Sequence, residues 1–249
     1  MITAGNIIAL SIIIFIASVV RGFTGFGLAL VAVPLLQFIM PVTDTAVFIA
    51  IINLTFSLLY YRRSRTVIKG QPLGRMALWT GIGVASGTVV LKFVNPAYIQ
   101  LVWGLLIIFI VIALAGGVSF SIRSDASAMT MSGLFGGLLA GATGITGPPV
   151  AVILSARKTP KEKFNAIISV FILFAVSYAL VFYLISGLIE WETALLALCS
   201  VPALLAGLRT GDVLVARISQ KTFTSVVYIV LLIMGIITLF KGAKTLTGF

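Results

Sequence analysis

The sequence contains no histidine and only one cysteine, Cys199. A Ser-His-Asp or Cys-His hydrolase is therefore excluded, and so is a disulfide framework. Zinc and c-type haem lose their usual ligands, and no cofactor is expected. Charge is scarce as well. Only 9% of the 249 residues are charged, against about a quarter in an average soluble domain. Carboxylates are the scarcest, with 6 Asp+Glu against 17 Lys+Arg. None of them lies within an apolar run away from its ends, so a carboxylate proton relay has no candidate. Long polar stretches are missing too; the longest are 62–75 and 117–128.

What remains is apolar. Hydrophobic residues make up 60% of the chain, and the mean hydropathy is +1.22. A water-soluble fold of 26.4 kDa cannot hide that much apolar side chain. The chain reads as an integral membrane protein whose constant partner is the lipid bilayer. The net charge of +11 would suggest nucleic acid in a soluble protein. Here the basic residues cluster between apolar runs without interleaved aromatics, so they read as topology signals and no nucleic-acid partner is expected.

Ten apolar segments can be traced, at 5–20, 26–40, 44–61, 73–91, 97–116, 129–141, 147–156, 164–186, 192–208 and 222–241. A full crossing needs about 20 residues. The first two segments, and the sixth and seventh, are shorter, and each short pair is split by a glycine-rich turn. The turns are Arg21-Gly-Phe-Thr-Gly-Phe-Gly27 and Gly141-Ala-Thr-Gly-Ile-Thr-Gly-Pro-Pro149. The first segment lacks a basic leader and a small-residue cleavage site, and reads as part of the mature fold.

The two turns match at an offset of 119. Ala50-Ile-Ile-Asn53 matches Ala166-Ile-Ile-Ser169 at 116, and Leu78–Gly87 parallels Leu198–Gly207 at 120. Three ordered matches at nearly one offset predict two homologous halves. These are an N-terminal transmembrane repeat at 1–116, a cytoplasmic linker at 117–128 and a C-terminal transmembrane repeat at 129–249. Loop charge then orients them. Loop 62–75 carries five basic residues and its counterpart 187–192 none; loop 157–163 carries four and its counterpart 41–44 none; loop 209–221 carries three and 92–96 one. Corresponding loops thus face opposite sides. The expected fold is an all-α polytopic membrane protein of two inverted-topology repeats, each a glycine-tipped helical hairpin plus three transmembrane helices. It sits as a multi-pass protein in the cell (plasma) membrane with both termini outside. Lys241 and Lys244 in the outer tail run against the charge rule.

The hairpin tips carry the candidate chemistry. Non-helical backbone inside a membrane is tolerated only where protein buries it or where it lines a wet cavity. Gly25, Gly27, Gly144 and Gly147 permit unusual dihedrals and close approach to the main chain. Helices restarting near Leu28 and Val150 offer N–H groups and a positive dipole end, and Pro148 and Pro149 suit a helix start. Thr24, Thr143 and Thr146 add hydroxyls. Together these residues make an anion site without histidine or metal. Arg21, beside Gly22, is the one charge placed deep, unless it reaches an interface along its aliphatic stem. Asn53 and its counterpart Ser169 either face the cavity or bond a neighbouring helix. The alternative for the glycines is close helix packing, the preferred reading for Gly83, Gly87, Gly133, Gly137 and Gly141.

These tip motifs, with Leu28-Ala-Leu-Val-Ala-Val-Pro34 after the first, resemble those of the sulfite exporter TauE/SafE family, also described as 4-toluene sulfonate uptake permeases. The duplicated halves and the length fit the same family. The resemblance implies a secondary transporter, not an enzyme, for small sulfur-containing anions such as sulfite, thiosulfate or organosulfonates. Read from the residues alone, the chain is an anion transporter with paired hairpins. The site should favour a compact, oxygen-rich anion held with modest affinity. A passive anion channel on the same fold and an intramembrane lipid-headgroup enzyme are the alternatives, and assembly into a homo-oligomer is left open.

Overall fold

The structure is a computed structural model that describes residues 4–24, 27–64, 73–115, 124–157, 159–215 and 220–247. These residues form eleven helices and no strand, as the hydrocarbon interior requires of a chain that must satisfy its backbone within each segment. In order they are α1 (Ala4–Thr24), α2 (Leu28–Leu36), α3 (Val42–Ser64), α4 (Leu73–Phe93), α5 (Pro96–Ala115), α6 (Asp125–Thr143), α7 (Pro148–Ala156), α8 (Lys161–Ile185), α9 (Trp191–Cys199), α10 (Val201–Val215) and α11 (Gln220–Thr247). Five stretches of the described residues are long and apolar enough to cross a membrane, within α1, α3, α4, α8 and the α9–α10 run. Large exposed apolar side chains such as Ile8, Leu78, Phe109 and Ile185 give the outside a face suited to lipid.

All ten apolar segments are helical, with instructive departures at their ends. The first hairpin arm is 21 residues long, about 31 Å at helical rise. It pairs with a return arm of only 9 residues. The segment 192–208 is two helices meeting at Ser200, because Pro202 cannot donate to the carbonyl four residues back. Of the linker expected at 117–128, residues 117–123 lie outside the described residues and 125–128 already belong to α6. Most of the expected loop 209–221 is the end of α10, and Arg209 is exposed on it.

Packing is set by glycine. α4 and α6 lie side by side and parallel. A Cβ at Gly133 would fall 2.6 Å from the Met76 carbonyl oxygen, and one at Gly137 2.6 Å from that of Thr80. Gly83, Gly87 and Gly141 are equally close to facing backbone, so only glycine permits this approach. The packing reading of these five glycines holds. α1 and α10 form a second parallel pair, with Gly207 against Phe15 and Ser18 and Gly211 against Val19 and Gly22. α5 and α11 pack antiparallel, Gly104 meeting Gly235 while Gly242 meets Ala97 and Leu101.

The two parallel pairs share one contact pattern. Gly207 meets Phe15 as Gly83 meets Leu134, and Gly211 meets Val19 as Gly87 meets Leu138. In this pattern Gly207 stands to α1 as Gly83 stands to α6.

α3 packs against α8, and Ala46 through Ala50 are fully buried. Two of the basic residues expected outside hold helix ends. Lys92 donates to the Ser186 carbonyl at the end of α8 (3.0 Å), and Lys241 to the Gln37 carbonyl at the end of α2. A cation at a helix C-terminus is favourable, which gives Lys241 a reason for its place other than topology.

Candidate functional site

The second hairpin tip is described in full. α6 ends because Gly144 takes a left-handed conformation (φ +73°), its N–H donating to the Ala140 carbonyl at 2.8 Å. Gly147 turns the chain again at φ +104°, and its carbonyl accepts from Ala151 N–H at 2.7 Å to open α7. Residues 141–148 are all buried. The tip is thus buried non-helical backbone. A Cβ at Gly144 would lie 3.0 Å from the Ala46 carbonyl oxygen and 3.4 Å from the Ile49 Cβ, which seats the tip on α3.

The hydroxyls divide in their use. Thr143 Oγ1 donates to the Leu139 carbonyl and accepts from Ile145 N–H at 3.2 Å, so it serves the turn itself. Thr146 is buried, and its Oγ1 has no hydrogen-bond partner. Pro148 and Pro149 occupy the first two positions of α7. They suit the helix start but bring no N–H, so the start of α7 offers fewer main-chain donors than that of α2.

At the first tip, α1 continues through Gly22 to Thr24. Gly25 and the Thr24 side chain lie outside what is described. Gly27 precedes α2 with an ordinary right-handed φ of −72°, so of the glycines expected to need unusual dihedrals only Gly144 and Gly147 are seen to use them. Gly22 is helical, and a Cβ there would meet the Gly211 backbone at 3.0 Å. Its visible role is helix packing.

Arg21 lies inside the protein, 2% exposed. Its guanidinium is enclosed by protein rather than exposed at the surface. Its Nη1 donates to Asn53 Oδ1 at 3.3 Å, and its guanidinium stacks over the Phe56 ring, 3.4 Å from Cζ to the centroid. Asn53 is fully buried and near the middle of α3. A charge at the centre of a bilayer costs about 2.5–3.5 kcal/mol even on the lenient insertion scale. The Asn53 carbonyl and the face of Phe56 offset part of this.

Asn53 Nδ2 and Ser57 Oγ are buried without a hydrogen-bond partner. Arg21, Asn53, Phe56 and Ser57 make a buried polar cluster on one face of α3. Ala46, beneath the second tip, is seven residues and two turns from Asn53, about 10 Å along the same face. α3 therefore joins the two tips' chemistry. Ser169 on α8 is only partly buried and enters none of these contacts.

Phe56 and Ser57 were not singled out from sequence. Their signal is an i, i+3, i+4 relation to Asn53, legible once Asn53 is known to face inward. Tyr183 was missed too. Its hydroxyl donates to the Ala140 and Gly141 carbonyls at 3.0 and 2.9 Å and so braces the last turn of α6. Beside the same turn, α4, α5 and α6 enclose a groove of about 160 Å³, whose lining is apolar except at Tyr98, Trp103 and Thr143. It presents an anion with no charged side chain.

A family model described as "Sulfite exporter TauE/SafE" matches residues 10–238, nearly the whole chain and both tips. Neither a curated protein nor a solved structure matches it.

Proposed function

The chain belongs to the sulfite exporter TauE/SafE family, and we propose that it carries a small sulfur oxyanion across the cell membrane, bound near the midplane between the two hairpin tips. The candidate substrates are sulfite, thiosulfate and organosulfonates. The observation that carries this reading is Arg21, a cation buried at mid-length of α3 and presented by Asn53 and Phe56. A buried charge of this kind is expensive and marks a functional pathway more readily than a structural need.

In this reading Arg21 is the electrostatic pole of the site. Asn53 Nδ2 and Ser57 Oγ donate to the anion's oxygens, and Thr146 Oγ1 does so from the opposite tip. Gly144 and Gly147 shape the second tip so that its backbone comes close. Thr143 and Pro148 shape the second tip and Gly22 packs α1 on α10; Thr24, Gly25 and Gly27 complete the first tip, and Ser169, outside the contacts described, is given no part in binding. Binding by one charge and neutral donors is modest, which permits release.

The two halves are read as inverted repeats, residues 1–116 and 129–249. The antiparallel packing of α5 against α11, the last helix of each half, supports this. Halves of like orientation would run these helices in the same direction. With basic loops inside, both termini face outward.

The test is flux into proteoliposomes with a panel of sulfite, sulfonates, sulfate and carboxylates, paired with calorimetry in detergent using the same anions and simple cations. Saturable sulfite or sulfonate flux is the expected result. Tight cation binding on which the anions have no effect would overturn the site.

A further inference from the structure

We propose that the groove between α4, α5 and α6 binds one acyl chain of a bilayer lipid, and that the bound chain props the second hairpin tip. The site goes beyond the transport reading and needs no substrate.

The groove opens on the surface that meets lipid. Val94, Tyr98, Val102 and Leu138 line it and are exposed. On α5 the exposed face runs on from Tyr98 and Val102 through Leu105, Phe109 and Ile112, at alternating spacings of four and three. The groove is therefore an inlet from an apolar face already turned to the bilayer. Its inner wall includes Trp103 and Thr143, 2% and 3% exposed. It thus leads from lipid-facing side chains to the residue just before Gly144.

The occupant follows from what the groove can and cannot hold. Tyr98, Trp103 and Thr143 carry polar groups, yet the surface they turn to the groove is carbon. The Thr143 hydroxyl is engaged by the Leu139 carbonyl and Ile145 N–H. A water molecule would lack the two to four polar partners it needs, and an anion would lose its hydration without replacement. An empty groove would forfeit dispersion contacts along its walls. Apolar cavities of about 150 Å³ stay dry and take up an apolar guest. This one, of about 160 Å³, opens onto a medium made of such guests. A methylene chain is narrow enough to lie between helices and asks for no polar partner.

The groove's position gives the chain a consequence. Tyr183 of α8 braces the last turn of α6 through the Ala140 and Gly141 carbonyls. The next residues, Ala142 and Thr143, border the groove. A chain packed there supplies the contact that α4 and α5 leave unfilled, so lipid and tip are coupled.

Tryptophan quenching in proteoliposomes tests this, with Trp103 left as the sole tryptophan by Trp79→Phe and Trp191→Phe. The probe is phosphatidylcholine brominated midway along one acyl chain, compared with the unbrominated lipid and with iodide in the water. Trp103, though enclosed by protein, should be quenched strongly by the brominated chains and hardly by iodide. Val94→Phe with Val102→Phe fills the groove from its exposed rim and should remove most of that quenching; Val102→Phe alone carries the comparison if the pair does not fold. A protein keeping only Trp191, 73% exposed, should be quenched equally with the groove open or filled. In detergent, added unbrominated phosphatidylcholine should raise the melting temperature of the wild type more than that of the filled variant. Trp103 untouched by brominated lipid, or quenched as strongly with the groove filled as open, would overturn the acyl-chain site. Quenching by iodide in its place would overturn it too, since the groove would then hold water. Equal gains in melting temperature would overturn the propping of the tip.

Discussion

Gly144 holds a conformation that side-chain-bearing residues avoid, and it does so against the backbone of α3. A left-handed dihedral costs an L-residue about 1–2 kcal/mol, and a branched side chain adds collision with Ala46. Gly144→Val is expected to lose transport and to lower the melting temperature in detergent, with Gly144→Ala intermediate. Wild-type flux in Gly144→Val would reassign the glycine to packing. Gly187, equally left-handed at φ +69° but with nothing within 4 Å of a Cβ, is the control: alanine there should cost strain alone. Tyr183→Phe removes a buried donor from two carbonyls at the tip and should destabilise by about 1–3 kcal/mol, read as a shift in thermal midpoint. The tip glycines were legible in the sequence because they break apolar runs at matching places. The division of labour among them was not. Nothing in a G-x-x-G pattern distinguishes Gly144, which needs its dihedral, from Gly27, which does not, or from Gly22, which packs on Gly211.

Among the elements, the parallel contact of α4 with α6 depends most plainly on small residues. Gly137→Leu would drive a side chain into the Thr80 carbonyl, and overpacking of this kind costs about 1–3 kcal/mol. The expected outcome is a lower melting temperature and reduced yield of folded protein. Gly74→Leu, where a Cβ would meet nothing within 4 Å, should leave both unchanged; equal losses in the two variants would refute packing as the cause. The helices themselves were almost all visible as apolar runs, since hydrocarbon permits little else. Their ends were less so. The break at Ser200 follows from Pro202, but in an apolar run a proline can kink a helix or end it.

For the whole molecule, the loop charges and the α5–α11 pairing argue for halves of opposite orientation. Single cysteines in place of Ile68 and Glu190, in a background with Cys199 replaced, should label from opposite sides of the membrane, and labelling from one side would dismiss the inverted repeat. Sequence could name Arg21 as deep or interfacial but not show that protein encloses it, because that depends on whether another helix offers it a partner. Asn53 and Phe56, far along the chain on α3, are that partner. The account stands on this arrangement. Its most direct test is uptake of labelled sulfite by proteoliposomes holding wild-type protein, Arg21→Lys or Arg21→Gln, each first checked for folding by its melting profile. The account predicts saturable uptake for the wild type, weakened uptake for the lysine variant, which keeps the charge, and at least about a tenfold loss for the glutamine variant, as expected when a charged hydrogen-bonding group is removed. Undiminished sulfite uptake by folded Arg21→Gln would contradict it.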